Sequence, residues 1–330
     1  MAGLLEGVRV LDLTVWRPGP YATQLLAEMG ADVTKLEPPG GDPMRSFPEL
    51  FATLNARKRS VVVDLKRPEG LDRARQLAAG TDVVVEGFRP GVIDRLGMGY
   101  DDVAARSPSV VYCSISGFGQ TGPLAGAPGH DLNFQAWAGA LAPDGAAPVV
   151  SRLPIADLAA GVTAAMAVCA ACVHQRASGE GRYIDLSVSD LLVTWTGPAG
   201  PRHEGSDEAT TSVAGYGVFA VADGHVTLGV LAEDHFWRAL CDEIGLDRHR
   251  HLGFGERVAA AASLQAELVH TLRARGRDEL VAALLAAGVP AAPVNTREEM
   301  LEVEHFRRRG TVAADGSLRH PIQYRSPRRG

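Results

Sequence analysis

The sequence predicts a mostly parallel, doubly wound α/β sheet in a large first domain, followed by a smaller α+β domain. Three observations carry this reading. Short β-branched runs alternate with helix-length amphipathic segments every ~25–30 residues through the first half, which is the rhythm of βαβ units. A stretch of linker composition, Gly197 to Ser212, then interrupts the chain. Beyond it, Tyr216 to Val221 and His225 to Val230 flank Ala222-Asp223-Gly224, a hairpin signal, with helical patterns after it. The expected division is 1–196 for the large domain, 197–214 for the linker and 215–293 for the small domain. A charged segment, 294–330, is expected to return to the large domain.

Taken in order, Val8 to Leu13 reads as a strand, Arg17-Pro18-Gly19-Pro20 as a turn, and Ala22, Leu25, Leu26 and Met29 as one face of a helix. Gly30 stops that helix, and Asp32 to Glu37 returns as a strand. The pattern repeats: strand Ser60 to Leu65, helix Pro68 to Ala79, strand Asp82 to Glu86, a short helix near Val92 to Leu96, and a strand from Val110 to Ser116. A Gly/Pro-rich loop from Gly117 to Gly129 follows, ending in Gly129-His130-Asp131. Loops of that length in a compact domain are commonly functional, and ligands on such sheets sit at the carboxyl ends of the strands. An Ala-rich apolar helix begins near Leu158, directly after Ile155-Ala156-Asp157, and a strand follows from Tyr183 to Val188. In the second half, helices are expected over Asp234 to Ile244, Arg257 to Arg275 and Asp278 to Ala286.

Composition narrows the function classes. The 330 residues carry a net charge of −6, which argues against nucleic acid as a partner, because phosphate backbones require a basic face. The first ten residues lack a basic region followed by an apolar core, so no signal peptide is expected. The apolar run Leu158 to Val173 falls short of the ~20 residues of a membrane span. Four cysteines make no disulfide framework at this length. A cytoplasmic protein with no membrane partner is the expectation.

Two motifs mislead. Gly117-Phe-Gly-Gln-Thr-Gly122 follows a strand and matches a dinucleotide fingerprint, yet Pro123, Gly126, Pro128 and Gly129 forbid the helix that fingerprint must open. No NAD site is expected. Cys169-Ala-Ala-Cys172 lies within the Ala-rich helix without a second Cys pair, so it reads as core and no metal site is expected. Two acidic residues stand out instead, each preceding a helix: Asp157 and Glu233. Each fits an N-cap, and a carboxylate at a helix N-terminus is also held anionic, as a base or nucleophile requires. His130, delivered by the long loop, is the natural partner of Asp157. Phe118, Phe134 and Trp137 offer either core packing or an apolar acyl pocket.

The chain resembles the class III CoA-transferase (CaiB/BaiF) superfamily, which includes α-methylacyl-CoA racemases. The resemblance spans nearly the whole chain. It rests on Leu4 to Leu13, Leu26 to Pro39, Asn55-Ala-Arg-Lys-Arg-Ser60 with Asp64-Leu65-Lys66, Glu86-Gly-Phe-Arg-Pro-Gly91 with Arg95-Leu96-Gly97, Ser116 to Pro123, Gly129-His130-Asp131, Ile155-Ala-Asp157 and Gly179-Glu-Gly-Arg182. It implies a Rossmann-like large domain and an interlocked, ring-like homodimer in which one chain's small domain covers the partner's active site. It further implies coenzyme A, as part of the substrate and the only cofactor, along Val15 or Trp16, Val63, Lys66 and Arg95. Lys66 and Arg95 each end or follow a strand–helix unit, as phosphate-binding cations should.

Two chemistries follow from the resemblance. In the racemases, a His matching His130 and an Asp matching Asp157 move an α-proton on opposite faces of an enolate, and a Glu matching Glu233 supports the His. The backbone N–H of Asp131 is then the donor to the thioester oxygen. In the transferases, the aspartate attacks the acyl-CoA carbonyl instead. His130, Glu233 and the absence of a glycine run between Gly197 and Gly229 put the racemase first. Leu153, where the racemases usually carry an Asn, and the short linker count against it. A CoA-thioester-binding protein with little turnover is a third expectation.

Overall fold

A computed structural model describes residues 3–141, 150–196, 213–319 and 321–322. The linker expected at 197–214 lies outside these residues except for its last two positions, as does most of the end of the expected returning segment. The chain divides into two compact units, Met1–Ala199 with Ile322–Gly330 and Gly200–Pro321.

The first unit runs β1 (Arg9–Leu13), α1 (Pro18–Glu28), β2 (Asp32–Glu37), α2 (Pro48–Asn55), β3 (Arg59–Val62), α3 (Pro68–Ala79), β4 (Val83–Glu86), α4 (Val92–Arg95), α5 (Tyr100–Ala104), β5 (Val111–Ser116), α6 (Asp131–Trp137), α7 (Ile155–Ser178), β6 (Arg182–Ser187) and α8 (Val188–Thr196). Its six strands lie in the order β3-β2-β1-β4-β5-β6, every pair parallel. That is the Rossmann-like order, with the chain reversing direction across the sheet between β1 and β4.

Period-2 alternation divides the strand residues between two cores. Val10, Val33, Val83, Val85, Val111 and Cys113 face α1 and α7, where Leu26, Ala160, Ala164 and Val168 meet them. Leu11, Leu13, Leu36, Val84 and Tyr112 face the other way, toward Ala74 and Ala78 of α3, Ile93 and Val103. Burial on both faces explains why these strands read as near-continuous apolar runs. The close approach of α1 and α7 depends on Gly161, where a Cβ would lie 2.7 Å from the Tyr21 ring and 3.0 Å from the Pro18 carbonyl oxygen.

The apolar helix α7 is longer than the apolar run from which it was expected. It begins at Ile155 and is long and apolar enough to cross a membrane by length and composition alone, yet half of its most apolar window is buried inside the unit. Asp157 therefore lies within its first turn and Pro154 occupies the N-cap, which corrects the expectation that Asp157 caps the helix.

The second unit runs β7 (Tyr216–Val221), β8 (Gly224–Gly229), α9 (Asp234–Ile244), α10 (Phe254–Ala259), α11 (Ala261–Leu272), α12 (Arg277–Ala286), β9 (Ala291–Pro293), α13 (Arg297–Glu302) and α14 (Glu304–Arg308). The expected hairpin forms, and β9 adds a third antiparallel strand. The single helix expected over Arg257 to Arg275 is two helices, α10 and α11. Phe219, Val226, Leu228, Trp237, Leu240, Leu264 and Leu268 form this unit's own core.

Candidate active site

The carboxyl ends of the first unit's strands gather the loops that carry the candidate residues. Between the ends of β1, β2, β3 and β4 opens a cavity of about 440 Å³, lined among others by Leu13, Val15, Leu36, Val63, Lys66 and Phe88. Its wall is mainly apolar. Val15, Val63 and Lys66 come from the set expected along coenzyme A. Arg95 is exposed and only its neighbour Leu96 lines the cavity, while Trp16 points its contacts elsewhere.

The second gathering point is the start of α7. The Asp157 backbone N–H donates to Asp131 Oδ1 at 3.1 Å, so a carboxylate of α6 satisfies one of the N-terminal donors of α7. Gln135 Nε2 holds the other oxygen, Oδ2, at 2.6 Å. Burial and the adjacent Asp131 charge together raise the Asp157 carboxyl to about 6, against the opposing charge of Arg17. The result is a carboxylate that is ionised at neutral pH yet more basic than an ordinary aspartate. Higher basicity favours both of the roles open to it, base and nucleophile.

His130 occupies the N-cap of α6, the residue before Asp131. Its backbone N–H donates to Asn133 Oδ1 at 3.0 Å, and its imidazole lies edge-on to the Trp16 indole, ring centroids 6.2 Å apart at 80°. The Asp131 N–H, at the first position of α6, has no intrahelical acceptor by the geometry of a helix start. One short helix thus carries His130 at its N-cap and brings the Asp131 carboxylate to the start of α7.

The loop that reaches α6 is shaped by one side chain. The Phe134 ring sits over two glycines, where a Cβ at Gly117 would come within 2.4 Å of it and one at Gly129 within 2.6 Å. The chain from Gly117 to His130 contains no helix, so these glycines serve Phe134 packing and not a helix start beneath a pyrophosphate. Phe118 and Phe134 are core residues in contact with each other, whereas Trp137 is 65% exposed.

Glu233 belongs to the second unit. It stands at the N-cap of α9 as its sequence context requires, but its side chain makes no capping hydrogen bond and is exposed. Sequence reasoning missed α6 itself, the Asp131 side chain and Arg17. The signal for α6 was present in Phe134 and Ala138, spaced i, i+4, and in the Asn133 placed to return a bond to His130. Cys113, Cys172 and Cys241 are buried thiols and Cys169 is half-buried. Burial raises Cys172 to about 11, so the Cys-x-x-Cys pair is protonated at neutral pH. Among the described residues, no group of three or more His, Cys, Asp or Glu is placed to hold a metal ion.

A parallel 3-2-1-4-5-6 sheet with a mainly apolar cavity at the carboxyl ends of its strands, and a part-buried carboxylate in the first turn of a helix, defines a Rossmann-like fold with a ligand-sized site at its switch point. Residues 5–325 match CoA-transferase family III. The chain is 34% identical, over 95% of its length and 86% of the relative's, to the succinate–glutarate CoA-transferase of Agrobacterium fabrum. It is 34% identical, over 94% and 85%, to the succinyl-CoA:mesaconate CoA-transferase of Haloarcula marismortui. A crystal structure of a CaiB/BaiF family protein from Brucella suis superposes with a TM-score of 0.87 at 30% identity, covering 98% of this chain and 93% of that one. The chain belongs to CoA-transferase family III, a family of enzymes. The Agrobacterium and Haloarcula relatives are both CoA-transferases, which favours transfer over the racemase chemistry put first from the sequence.

Proposed function

We propose that the protein transfers coenzyme A between carboxylic acids, with Asp157 as the nucleophile. The observation that carries this reading over proton exchange is the whole-chain similarity to CoA-transferases; the part-buried Asp157 carboxylate in the first turn of α7 is the nucleophile it assigns. The Asp157 oxygen attacks the thioester carbonyl, a C–O bond forms, the C–S bond breaks, and CoA leaves as the thiolate. A mixed anhydride remains on Asp157. The thiolate then attacks the Asp157 carbonyl carbon and the first acid departs as its carboxylate, leaving an aspartyl-CoA thioester. An incoming carboxylate reverses the two steps and leaves as the new acyl-CoA. No external oxidant, reductant or net proton is needed.

The Asp131 N–H at the first position of α6 is the donor this reading assigns to the developing oxyanion. The apolar cavity receives part of coenzyme A, with Lys66 toward the phosphates; the exposed Arg95 is assigned to the phosphates by resemblance alone. The similarity to transferases named for succinate, glutarate and mesaconate supports short dicarboxylic acids as substrates. The reading includes a homodimer, supported by the exposed apolar residues Trp137, Val162, Met166 and Trp195 on α6, α7 and α8.

A second reading, α-proton exchange between His130 and Asp157, is favoured by one observation. His130 directly precedes Asp131, whose carboxylate accepts the Asp157 N–H. The two readings separate in one experiment. Succinyl-CoA with labelled glutarate should yield labelled glutaryl-CoA, should do so largely undiminished in His130→Ala, and should fail in Asp157→Ala. No label transfer across a panel of dicarboxylates, together with α-deuterium uptake from D₂O into a 2-methylacyl-CoA, would replace transfer by racemisation.

A further inference from the structure

Residues 14–17, between β1 and α1, reach two places at once. Val15 lines the apolar cavity, Trp16 meets the His130 ring, and Arg17 supplies the charge that opposes the rise at Asp157. Trp16 has φ +63°, alone among the described non-glycine residues in having positive φ. A bulky side chain holds that left-handed conformation only where its surroundings enforce it.

A buried ionic cluster lies beside the loop. Asp12 Oδ1 accepts the Thr14 N–H at 2.9 Å and the Thr14 hydroxyl at 2.5 Å; Oδ2 accepts the Thr23 hydroxyl at 2.6 Å. Lys58 Nζ donates to Asp12 Oδ2 at 3.0 Å and to the Pro20 carbonyl at 2.8 Å. Lys35 Nζ donates to the Thr14 carbonyl at 2.7 Å and pairs with Asp42 Oδ2 at 2.8 Å. Both lysine side chains are 1% exposed and both aspartates are fully buried. The groups facing the Lys58 ammonium are Asp12 of β1, Lys35 of β2 and Asp42 of the loop after β2.

We propose that Lys35 and Lys58 clamp the entering end of this loop and the first turn of the helix it leads into, and are positioning residues that place Trp16 and Arg17 at the reaction centre. Each ammonium binds a main-chain carbonyl, Lys35 that of Thr14 and Lys58 that of Pro20, in addition to its carboxylate, which a pair serving only to neutralise buried charge would not require. Two of the chain's three lysines serve this purpose. The assignment of an effect on turnover rests on the reading of Asp157 as the nucleophile; the effect on geometry does not.

The test uses the full chain and Lys58→Met, with succinyl-CoA and glutarate as substrates. A displacement of about an ångström at a reaction centre costs on the order of a hundredfold. The expected result is therefore a 10–100-fold lower kcat with KM for succinyl-CoA within about threefold, because Val15 is one of many cavity residues. The acid limb of kcat should also move to higher pH, since Arg17 no longer opposes Asp131 at Asp157. A merely less stable enzyme loses amplitude without moving the limb.

An activity-independent measurement runs beside it. The pH at which the thermal-stability gain of Asp157→Asn levels off reports the folded Asp157 carboxyl directly, and it should move up in the Lys58→Met background. If Lys58→Met does not fold, the pair Asp12→Asn with Lys58→Met removes both charges together and should show the same two effects. Wild-type kcat and an unmoved Asp157 titration in a folded variant would overturn the clamp. A moved titration with Asp157→Ala still active would instead overturn the nucleophile and leave the clamp standing.

Discussion

Two aspartates near the carboxyl edge of the same sheet have opposite chemistry. Asp12 and Asp157 both lose solvent, and burial pushes both carboxyls upward. At Asp12 the push is overcome by Lys58 and Lys35 and by two threonine hydroxyls, which hold it well below the usual carboxylate range. At Asp157 the nearest carboxylate, Asp131, adds to the push and Arg17 only partly opposes it, leaving the group at about 6. Neighbours, not burial, separate a carboxylate that fixes a loop from one available for reaction. The contrast also shows in exposure, since Asp12 is fully buried while Asp157 is only partly so.

The sharpest way to break that contrast is to remove each carboxylate in turn. Asp157→Ala should lower CoA transfer by about a thousandfold or more, as expected for a nucleophile, with little change in folding measured by circular dichroism. Asp12→Ala should act the other way round: it strands Lys58 and should destabilise the fold by about 3–5 kcal/mol, read from urea denaturation. A third change tests the neighbour directly. Asp131→Asn keeps an oxygen for the Asp157 N–H and removes the like charge, so the acid limb of kcat should move to lower pH, with a rate loss of about a few-fold.

The smallest effect concerns stability and pH. The folded Asp157 carboxyl titrates above its ordinary value of 3.8, so the folded state holds the proton more tightly than the unfolded chain. Asp157 then favours folding at low pH and costs stability as pH rises through the interval from about 4 to about 6. Asp157→Asn should gain about 1–2 kcal/mol at pH 8, after allowance for partial exposure, and nothing below about pH 4.

The two regions were not equally legible in the sequence. The strands of the sheet were, because β-branched runs buried on both faces, such as Val83 to Val85, leave a signal that needs no tertiary information. His130 and Asp157 were reached through motif resemblance and through their placement after a loop and before a helix. The Asp12 cluster was not, since Asp12, Lys35 and Lys58 are 46 residues apart at the extreme and meet only once β1, β2 and the segment before β3 align. The first turn of α7 was misplaced for a related reason. Pro154 caps it and Ile155 opens it, while an N-capping rule applied to Asp157 shifted the start by three residues. Function was shifted by the same kind of local reading: His130 and Glu233 argued for proton transfer, while the whole-chain similarity lies with transferases.

The central claim is that Asp157 forms a bond to the substrate. Incubation with succinyl-CoA, quenching in hydroxylamine and peptide mass spectrometry tests it directly. The account predicts a hydroxamate at Asp157 that depends on succinyl-CoA and vanishes in Asp157→Asn. An unmodified Asp157 under conditions where the enzyme turns over would contradict it.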